Sequence, residues 1–267
     1  MTFSELLQAV RSTPQSVVVP AVWGQGRAGF GGLAAALVYE AMRAQVPDGR
    51  PVRSLAVTFV GPLAVDTPVS FEAEVLREGK AVSQVLGRAV QNGQVVTLVQ
   101  GSFGASRESA IEVVAAAAPP IKPAEQCQEL PYIKNVTPEF TRFLAMRWAL
   151  GGMPFTNNQA REMGGWVRLR GIEQDAAQPV DEAHLLALVD AWPPAVLAHL
   201  RAPAPGSSLT WTIEFMQPTP DLSTLDWCQY HAVIEHARDG YGHIASALWA
   251  PDGQLLALSR QTVTVFG

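Results

Sequence analysis

Apolar and polar side chains alternate along two stretches of the chain, and the second stretch repeats the order of the first. In one run, Val69, Phe71, Ala73 and Val75 are separated by polar residues. This period of two is typical of a strand with one face in water. Residues 54–103 predict four such strands, and residues 208–266 predict four more with turns at matching places. We therefore expect a duplicated unit.

Short turn sequences connect these runs. Asn92-Gly93 lies between two alternating segments, and Asp239-Gly240 and Asp252-Gly253 do so in the second stretch. An Asn-Gly or Asp-Gly pair at such a place favours a tight hairpin, which makes the neighbouring strands antiparallel. Counting from the hairpins, Gln261 corresponds to Gly101 and Ser208 to Ser54.

Two segments have helical rather than strand periodicity. Residues 33–45 place apolar side chains on one stripe and end at Pro47-Asp48-Gly49. Residues 182–200 predict a second helix, which Pro193-Pro194 must kink or break because proline lacks a backbone N–H. Residues 16–23 are rich in β-branched side chains and predict a further strand, as do residues 140–149 and 164–170.

These elements predict an α+β protein with a tandem (double) hotdog fold. In that fold, two antiparallel sheets each wrap a central helix, and they could pair edge to edge. We expect an N-terminal hotdog at residues 1–106, an Ala/Pro-rich linker at 107–136 and a C-terminal hotdog at 137–267.

Composition excludes several classes of partner. The 267 residues are 48% hydrophobic and 16% charged, with a net charge of −5, so the chain can build a full core. It has no run of Lys or Arg that could follow a phosphate backbone, and we expect no nucleic-acid partner. Without a signal peptide or an apolar run of membrane length, we expect a cytoplasmic protein without a membrane partner. Cys127 and Cys228 are then reduced thiols.

An ordered set of short sequences resembles the acyl-CoA thioesterase II family along nearly the whole chain. The first half carries Gly29-Phe30-Gly31-Gly32, Arg53-Ser54-Leu55, Gly61-Pro62, Arg77-Glu78-Gly79-Lys80 and Gln91-Asn92-Gly93, and the second half carries Asp190, Phe215 and Gln261. The resemblance implies a double-hotdog hydrolase that splits acyl-CoA into a free acid and CoA without a cofactor. It also implies an acyl-CoA substrate, and hotdog sheets tend to associate, so we expect a homo-oligomer.

The resemblance further implies a catalytic set of Asp, Thr or Ser, and Gln that holds a nucleophilic water. By position these are Asp190, Ser208 and Gln261. Ser208 stands where the family has Thr, and Thr210-Trp211 stand where family members often have Asp-His.

The residue types suit that chemistry, although each has a structural alternative. Asp190 lies in an apolar run, where an unpaired charge is costly, and a carboxylate can deprotonate water. It could instead cap the segment that begins at Pro193. Gln261 can donate and accept hydrogen bonds around a water, or it could simply face solvent. For Ser208, a structural role remains open.

Backbone N–H groups at the start of the first helix are candidates to polarise the thioester carbonyl. Gly31 and Gly32 lie there, at the positive end of the helix dipole, although they could serve only to pack helix on sheet. Trp192 could line the acyl pocket or belong to the core. Arg53 or Arg77 could meet CoA phosphates. We expect no metal, because His231 and His236 fall on opposite faces of one strand.

Three rival functions remain. Gly24–Gly29 matches the GxGxxG pattern of dinucleotide sites, but the hairpins that follow do not suit a doubly wound fold. Hotdog enoyl-CoA hydratases pair an Asp with a His about five residues later, where this chain has Ala195. A non-catalytic acyl-CoA or lipid-binding module is the third possibility.

Overall fold

Within residues 1–170 and 177–266, which the computed structural model describes, the chain forms three α-helices and thirteen strands. In chain order these are α1 (Phe3–Ser12), β1 (Val17–Val18), β2 (Gly24–Gln25), β3 (Ala28–Gly29), α2 (Gly31–Arg43), β4 (Val52–Phe59), β5 (Pro68–Glu78), β6 (Val82–Gln91), β7 (Gln94–Gly104), β8 (Leu144–Leu150), β9 (Glu162–Leu169), α3 (Glu182–Asp190), β10 (Gly206–Phe215), β11 (Cys228–Arg238), β12 (Tyr241–Trp249) and β13 (Leu255–Val265). The expected C-terminal unit includes residues 171–176 and 267, which lie outside the described residues.

Eleven of these strands form one antiparallel sheet in the order β1-β5-β6-β7-β4-β10-β13-β12-β11-β9-β8. The halves join at β4 and β10, which pair from Thr58 opposite Thr210 to Ser54 opposite Glu214. The expected pair of sheets, each wrapping a helix of its own, is not confirmed for the described residues, which form one continuous sheet through the edge-to-edge pairing that the sequence analysis allowed. Pairing β4 with β10 satisfies the backbone groups of two edges that would otherwise be exposed.

The helices lie against one another on the inner side of this sheet. α2 packs on β5, β6 and β7 and also on α3, and almost all of its residues are buried. α3 ends at Asp190, and a 3₁₀ turn at Ala195–His199 follows the two prolines. None of the helices in the described ranges combines the length and apolar character needed to cross a membrane.

α1 is a helix that the sequence analysis did not predict. A capping box of Thr2 and Glu5 begins it. Its apolar face, which includes Leu6 and Leu7, packs on α2. The signal was present in the sequence as a Thr three residues before a Glu, ahead of an apolar stripe.

Several local predictions are confirmed and others need correction. Asn92 and Gly93 both have positive φ, 53° and 74°, as a type I′ hairpin requires. The strand predicted at residues 16–23 is only the two-residue β1 followed by a 3₁₀ turn. The segment at 140–149 begins as a 3₁₀ turn, and β8 starts at Leu144. The GxGxxG segment forms the β2–β3 hairpin, so it does not connect a strand to a phosphate-binding helix.

Strand register defines which positions of the two halves are equivalent. Trp211 lies opposite Val57 and Leu55 opposite Ile213, so exchanging the halves superimposes Trp211 on Leu55. Gln261 pairs with Trp211 and Gly101 with Leu55, which confirms the correspondence of Gln261 with Gly101.

The correspondence of Ser208 with Ser54 is wrong by two residues. A β-bulge separates Ser208 from Thr210 on β10, and another separates Val52 from Ser54 on β4. Ser208 is therefore equivalent to Val52, and Thr210 is equivalent to Ser54. The bulges stand at equivalent places in the two halves, so they do not alter this correspondence.

Candidate active site

Asp190, the last residue of α3, meets the first turn of α2. Gln261 Nε2 donates a hydrogen bond of 2.7 Å to Asp190 Oδ1, and the first turn of α2 at Gly31 and Gly32 lies against the same side chain. Both side chains are only partly buried, so solvent reaches the site. Four of the predicted site residues, Asp190, Gln261, Gly31 and Gly32, therefore converge from three elements.

The surroundings change the acidity of Asp190. Burial among apolar neighbours raises the pKa of its carboxyl to about 7, while the hydrogen bonds from Gln261 and Gly32 lower it. The positive end of the α2 dipole also favours the carboxylate. A carboxyl with a pKa near neutrality can both accept and return a proton under ordinary conditions.

Gly31 and Gly32 allow this close approach of the two helices. A Cβ on Gly31 would lie 2.9 Å from Asp190 Oδ2, and one on Gly32 would lie 2.9 Å from Asp190 Cβ and from the Leu186 carbonyl oxygen. Gly32 is therefore needed for packing helix on helix, and Gly31 for packing against both α3 and the sheet, where Phe59 lies 3.2 Å from its Cβ position. The Gly31 N–H, at the first helical position, has no partner within its helix.

Ser208 lies on the same face of the sheet as Gln261 but further along it. Ser208 pairs with Val263, two residues beyond Gln261 on β13, and a β-bulge separates it from Thr210. Among the described residues, the Ser208 hydroxyl makes no hydrogen bond to Asp190 or Gln261.

Trp192 extends the site on the far side of Asp190. It is 5% exposed, stacks on Tyr230 at 5.2 Å between centroids and meets Trp148 at 4.9 Å. Its indole N–H is buried and has no partner among the described residues. The alternative role of Asp190 as a cap is wrong, because the N-cap of the following turn is Pro194 and that turn has no side-chain cap.

Two residues near the carboxylate were not predicted. A Cβ on Gly31 would lie 3.2 Å from the ring of Phe59, a residue of β4, so this ring and Asp190 Oδ2 both border the start of α2. Tyr230, from β11, is buried, and the charge of Asp190 helps to raise the pKa of its phenol. Phe59 stood in the alternating pattern of a strand, and no sequence motif singled out Tyr230.

The remaining groups lie away from this site. Arg53 donates to the Gly104 carbonyl oxygen at 2.9 Å, and Arg77 is exposed on β5. Two surface cavities, of about 530 and 640 Å³, lie beside Trp227 and beside Leu222, and Asp190 lines neither. In the described ranges, no group of three or more His, Cys, Asp or Glu side chains is placed to hold a metal ion.

Solved structures with the same architecture come from several bacteria. A conserved hot dog protein of unknown function from Alicyclobacillus acidocaldarius has a TM-score of 0.79 and 26% identity, covering 94% of this chain and 92% of that one. A putative thioesterase II from Thermobifida fusca has a TM-score of 0.78 and 20% identity over 94% and 92% of the two chains. Acyl-CoA thioesterase II TesB2 from Mycobacterium marinum has a TM-score of 0.73 and 20% identity, covering 89% of each chain. These likenesses confirm the hotdog fold.

Family models cover both halves of the sequence. Residues 19–104 match the acyl-CoA thioesterase N-terminal domain, and residues 124–265 match the acyl-CoA thioesterase C-terminal domain. No curated protein sequence matches the chain. Because the two models follow one another in order and together span most of its length, this chain belongs to the acyl-CoA thioesterase family.

Proposed function

We propose that the protein hydrolyses acyl-CoA thioesters to a free acid and CoA, using a water held by Asp190 and Gln261. The observation that carries this proposal is the 2.7 Å hydrogen bond between these two side chains at the start of α2. It joins a carboxyl of raised pKa to an amide that can both donate and accept. The family supports thioester chemistry in general.

In this mechanism Asp190 removes a proton from the water as its oxygen attacks the thioester carbonyl carbon. Negative charge develops on the carbonyl oxygen, and the Gly31 N–H at the positive end of α2 stabilises it. The carbon–sulfur bond then breaks, and the proton on Asp190 passes to the departing CoA thiolate. Ser208 is the proposed third holder of the water, reached through the water rather than by direct contact with Asp190.

The other parts of the proposal rest on the family resemblance and not on this placement. Trp192 lines the acyl pocket, and CoA lies outside, where Arg53 or Arg77 meets its phosphates. Residues 1–106 and 137–267 act as the two units, joined by 107–136, in a cytoplasmic homo-oligomer. No cofactor or metal is required, because water and the side chains supply every proton and bond.

The direct test is release of free thiol from a panel of acyl-CoAs by the wild type and by Asp190→Asn. Asparagine keeps the shape but cannot take the proton, so we expect turnover to fall by about 10²- to 10⁴-fold. Glu182→Gln is the matched control at the start of α3 and should retain turnover.

Undiminished turnover by Asp190→Asn would overturn the mechanism. Binding of acyl-CoA without hydrolysis by the wild type would instead support the non-catalytic module. Addition of water to an enoyl-CoA with the thioester left intact would support the hydratase.

A further inference from the structure

The inner face of the C-terminal half carries a row of polar side chains that extends beyond Gln261. Ser259 precedes Gln261 by two residues on β13 and pairs with Ser246 on β12. Ser246 pairs with Ala232 on β11, and Tyr230 is the next residue on that face. The buried Trp211 Nε1 donates to Ser259 Oγ at 2.8 Å, which shows that the row faces inward.

The equivalent positions of the N-terminal half carry no such groups. Register places Gly101, Val99, Gly87 and Phe71 where the C-terminal half has Gln261, Ser259, Ser246 and Tyr230. A Cβ on Gly87 would lie 2.5 Å from Met42 Cγ, and one on Gly101 would lie 2.6 Å from Met42 Cε, so α2 fills this face. The fold itself therefore does not require polar side chains at these positions.

Two hydrogen-bond donors, the Trp192 indole and the Tyr230 phenol, stand at the end of this row. Trp192 Nε1 is buried without a partner among the described residues. Burial raises the pKa of the Tyr230 phenol well above its usual value, and the Asp190 charge adds to this, while an interaction with Ser246 opposes it. Tyr230 thus remains a neutral hydroxyl at physiological pH. An unpaired buried donor costs free energy, which an acceptor on a ligand would recover.

Under the proposed function, in which Trp192 lines the acyl pocket, these donors border the acyl chain. Trp192 follows Asp190 by two residues and stacks on Tyr230, while the Trp148 ring meets the indole at an angle of 54°. A plain hydrocarbon chain placed against this wall would leave the indole N–H unpaired. An oxygen on the chain would pair with it.

We propose, resting on the thioesterase function above, that this site selects acyl groups bearing a second oxygen beyond the thioester carbonyl, as a hydroxyl or an oxo group. Tyr230 and Trp192 donate hydrogen bonds to that oxygen, and Ser246 orients the Tyr230 hydroxyl. The substrate class is therefore the hydroxyacyl- or oxoacyl-CoAs. Tyr230 and Trp192 determine specificity and take no part in the proton transfer.

The test compares kcat/KM for 3-hydroxyacyl-, 3-oxoacyl- and unsubstituted acyl-CoAs of equal chain length. We expect at least about a tenfold preference for an oxygenated chain, because a site built around a hydrogen bond discriminates against an analogue that lacks it. Tyr230→Phe and Trp192→Phe should each reduce the preference. Most of the loss should come from slower turnover of the oxygenated substrate.

Tyr39→Phe is the matched control, because it removes one buried tyrosine hydroxyl at the other end of α2. It should leave the preference unchanged. Equal kcat/KM for plain and oxygenated chains, or a preference that survives Tyr230→Phe and Trp192→Phe together, would overturn this inference while leaving hydrolysis itself intact.

Failure of the proposed function would look different, because no acyl-CoA would then release thiol. Calorimetric binding of non-hydrolysable thioether analogues, with and without the chain oxygen, answers the question in that case. Tighter binding of the oxygenated analogue by the wild type, lost in Tyr230→Phe, would support the selectivity. Equal binding would reject it.

Discussion

The helix pair α2 and α3 has two ends that are related by the duplication, and the two ends carry different side chains. Asp190 is the ninth residue of α3 and meets the start of α2. Tyr39 is the ninth residue of α2, and its hydroxyl donates to Glu182 at the start of α3 at 3.3 Å. At the first end a carboxylate stands beside Gln261, and at the second end Gly101 takes the place of that glutamine.

Side chains and an ion pair fill the second end. Arg11 from α1 donates to both oxygens of Glu40, at 2.6 and 3.0 Å, and also approaches Asp181. Gln217 donates to Glu182 at 2.8 Å. Glu40 and Asp181 at this end each face the Arg11 cation, whereas Asp190 has only neutral donors and a raised pKa. A fused duplicate can thus use one end for stability and keep the other reactive.

Of the changes that make one end resemble the other, the largest effect is expected at Gln261, whose equivalent Gly101 has no side chain. Gln261→Ala removes a holder of the water and should lower kcat/KM about 100-fold, comparable to losing one positioned polar group. Wild-type kcat/KM should rise as pH increases through about 7, because the base form of Asp190 is required. Without the Gln261 hydrogen bond, which favours the carboxylate, this midpoint should move to higher pH. A pH–rate profile of both proteins checks this, and an unshifted midpoint would contradict it.

The filled end should respond in stability rather than in rate. Arg11→Ala leaves the Glu40 carboxylate, 5% exposed, without its ion pair. We expect about 2–3 kcal/mol of destabilisation, less than for a fully buried pair because Arg11 is half exposed. Denaturant unfolding measures this, while the pH–rate midpoint should stay in place. Arg88→Ala, which breaks an exposed pair with Glu72, is the control and should cost under about 1 kcal/mol.

The smallest effect concerns the cost of keeping Asp190 reactive. Its folded pKa of about 7 lies above the ordinary value of 3.8, so the native state binds the proton more tightly than the unfolded state. Stability from this group is full below about pH 4 and is lost as pH rises to 7. The difference between the two pKa values corresponds to about 4 kcal/mol for a fully buried group, and the partial exposure of Asp190 reduces it. Asp190→Asn should therefore stabilise the protein by about 2 kcal/mol at pH 8 and by nothing at pH 4. Thermal unfolding at both values measures this difference, and equal gains at both would refute it.

Local sequence predicted the elements better than the way they associate. Alternation and Asn-Gly turns were enough for the two meanders, because both signals depend on neighbours in the chain. The sequence allowed the two sheets to pair edge to edge but could not establish that they do, because the pairing of β4 with β10 joins residues more than 150 positions apart. The site was predicted by resemblance for Asp190 and Gln261, which touch, while Ser208 remains a proposal two residues along the sheet.

The sequence by itself determined that the chain duplicates a helix-and-hairpin unit and that an acid interrupts an apolar helix. Only the tertiary structure decided which glycines meet that acid, which end of the helix pair is filled, and which inward positions are polar. The physical reason is that hydrophobic periodicity depends on residues close in sequence, whereas the pKa of Asp190, the fit of Gly32 and the role of Tyr230 depend on groups that only folding brings together.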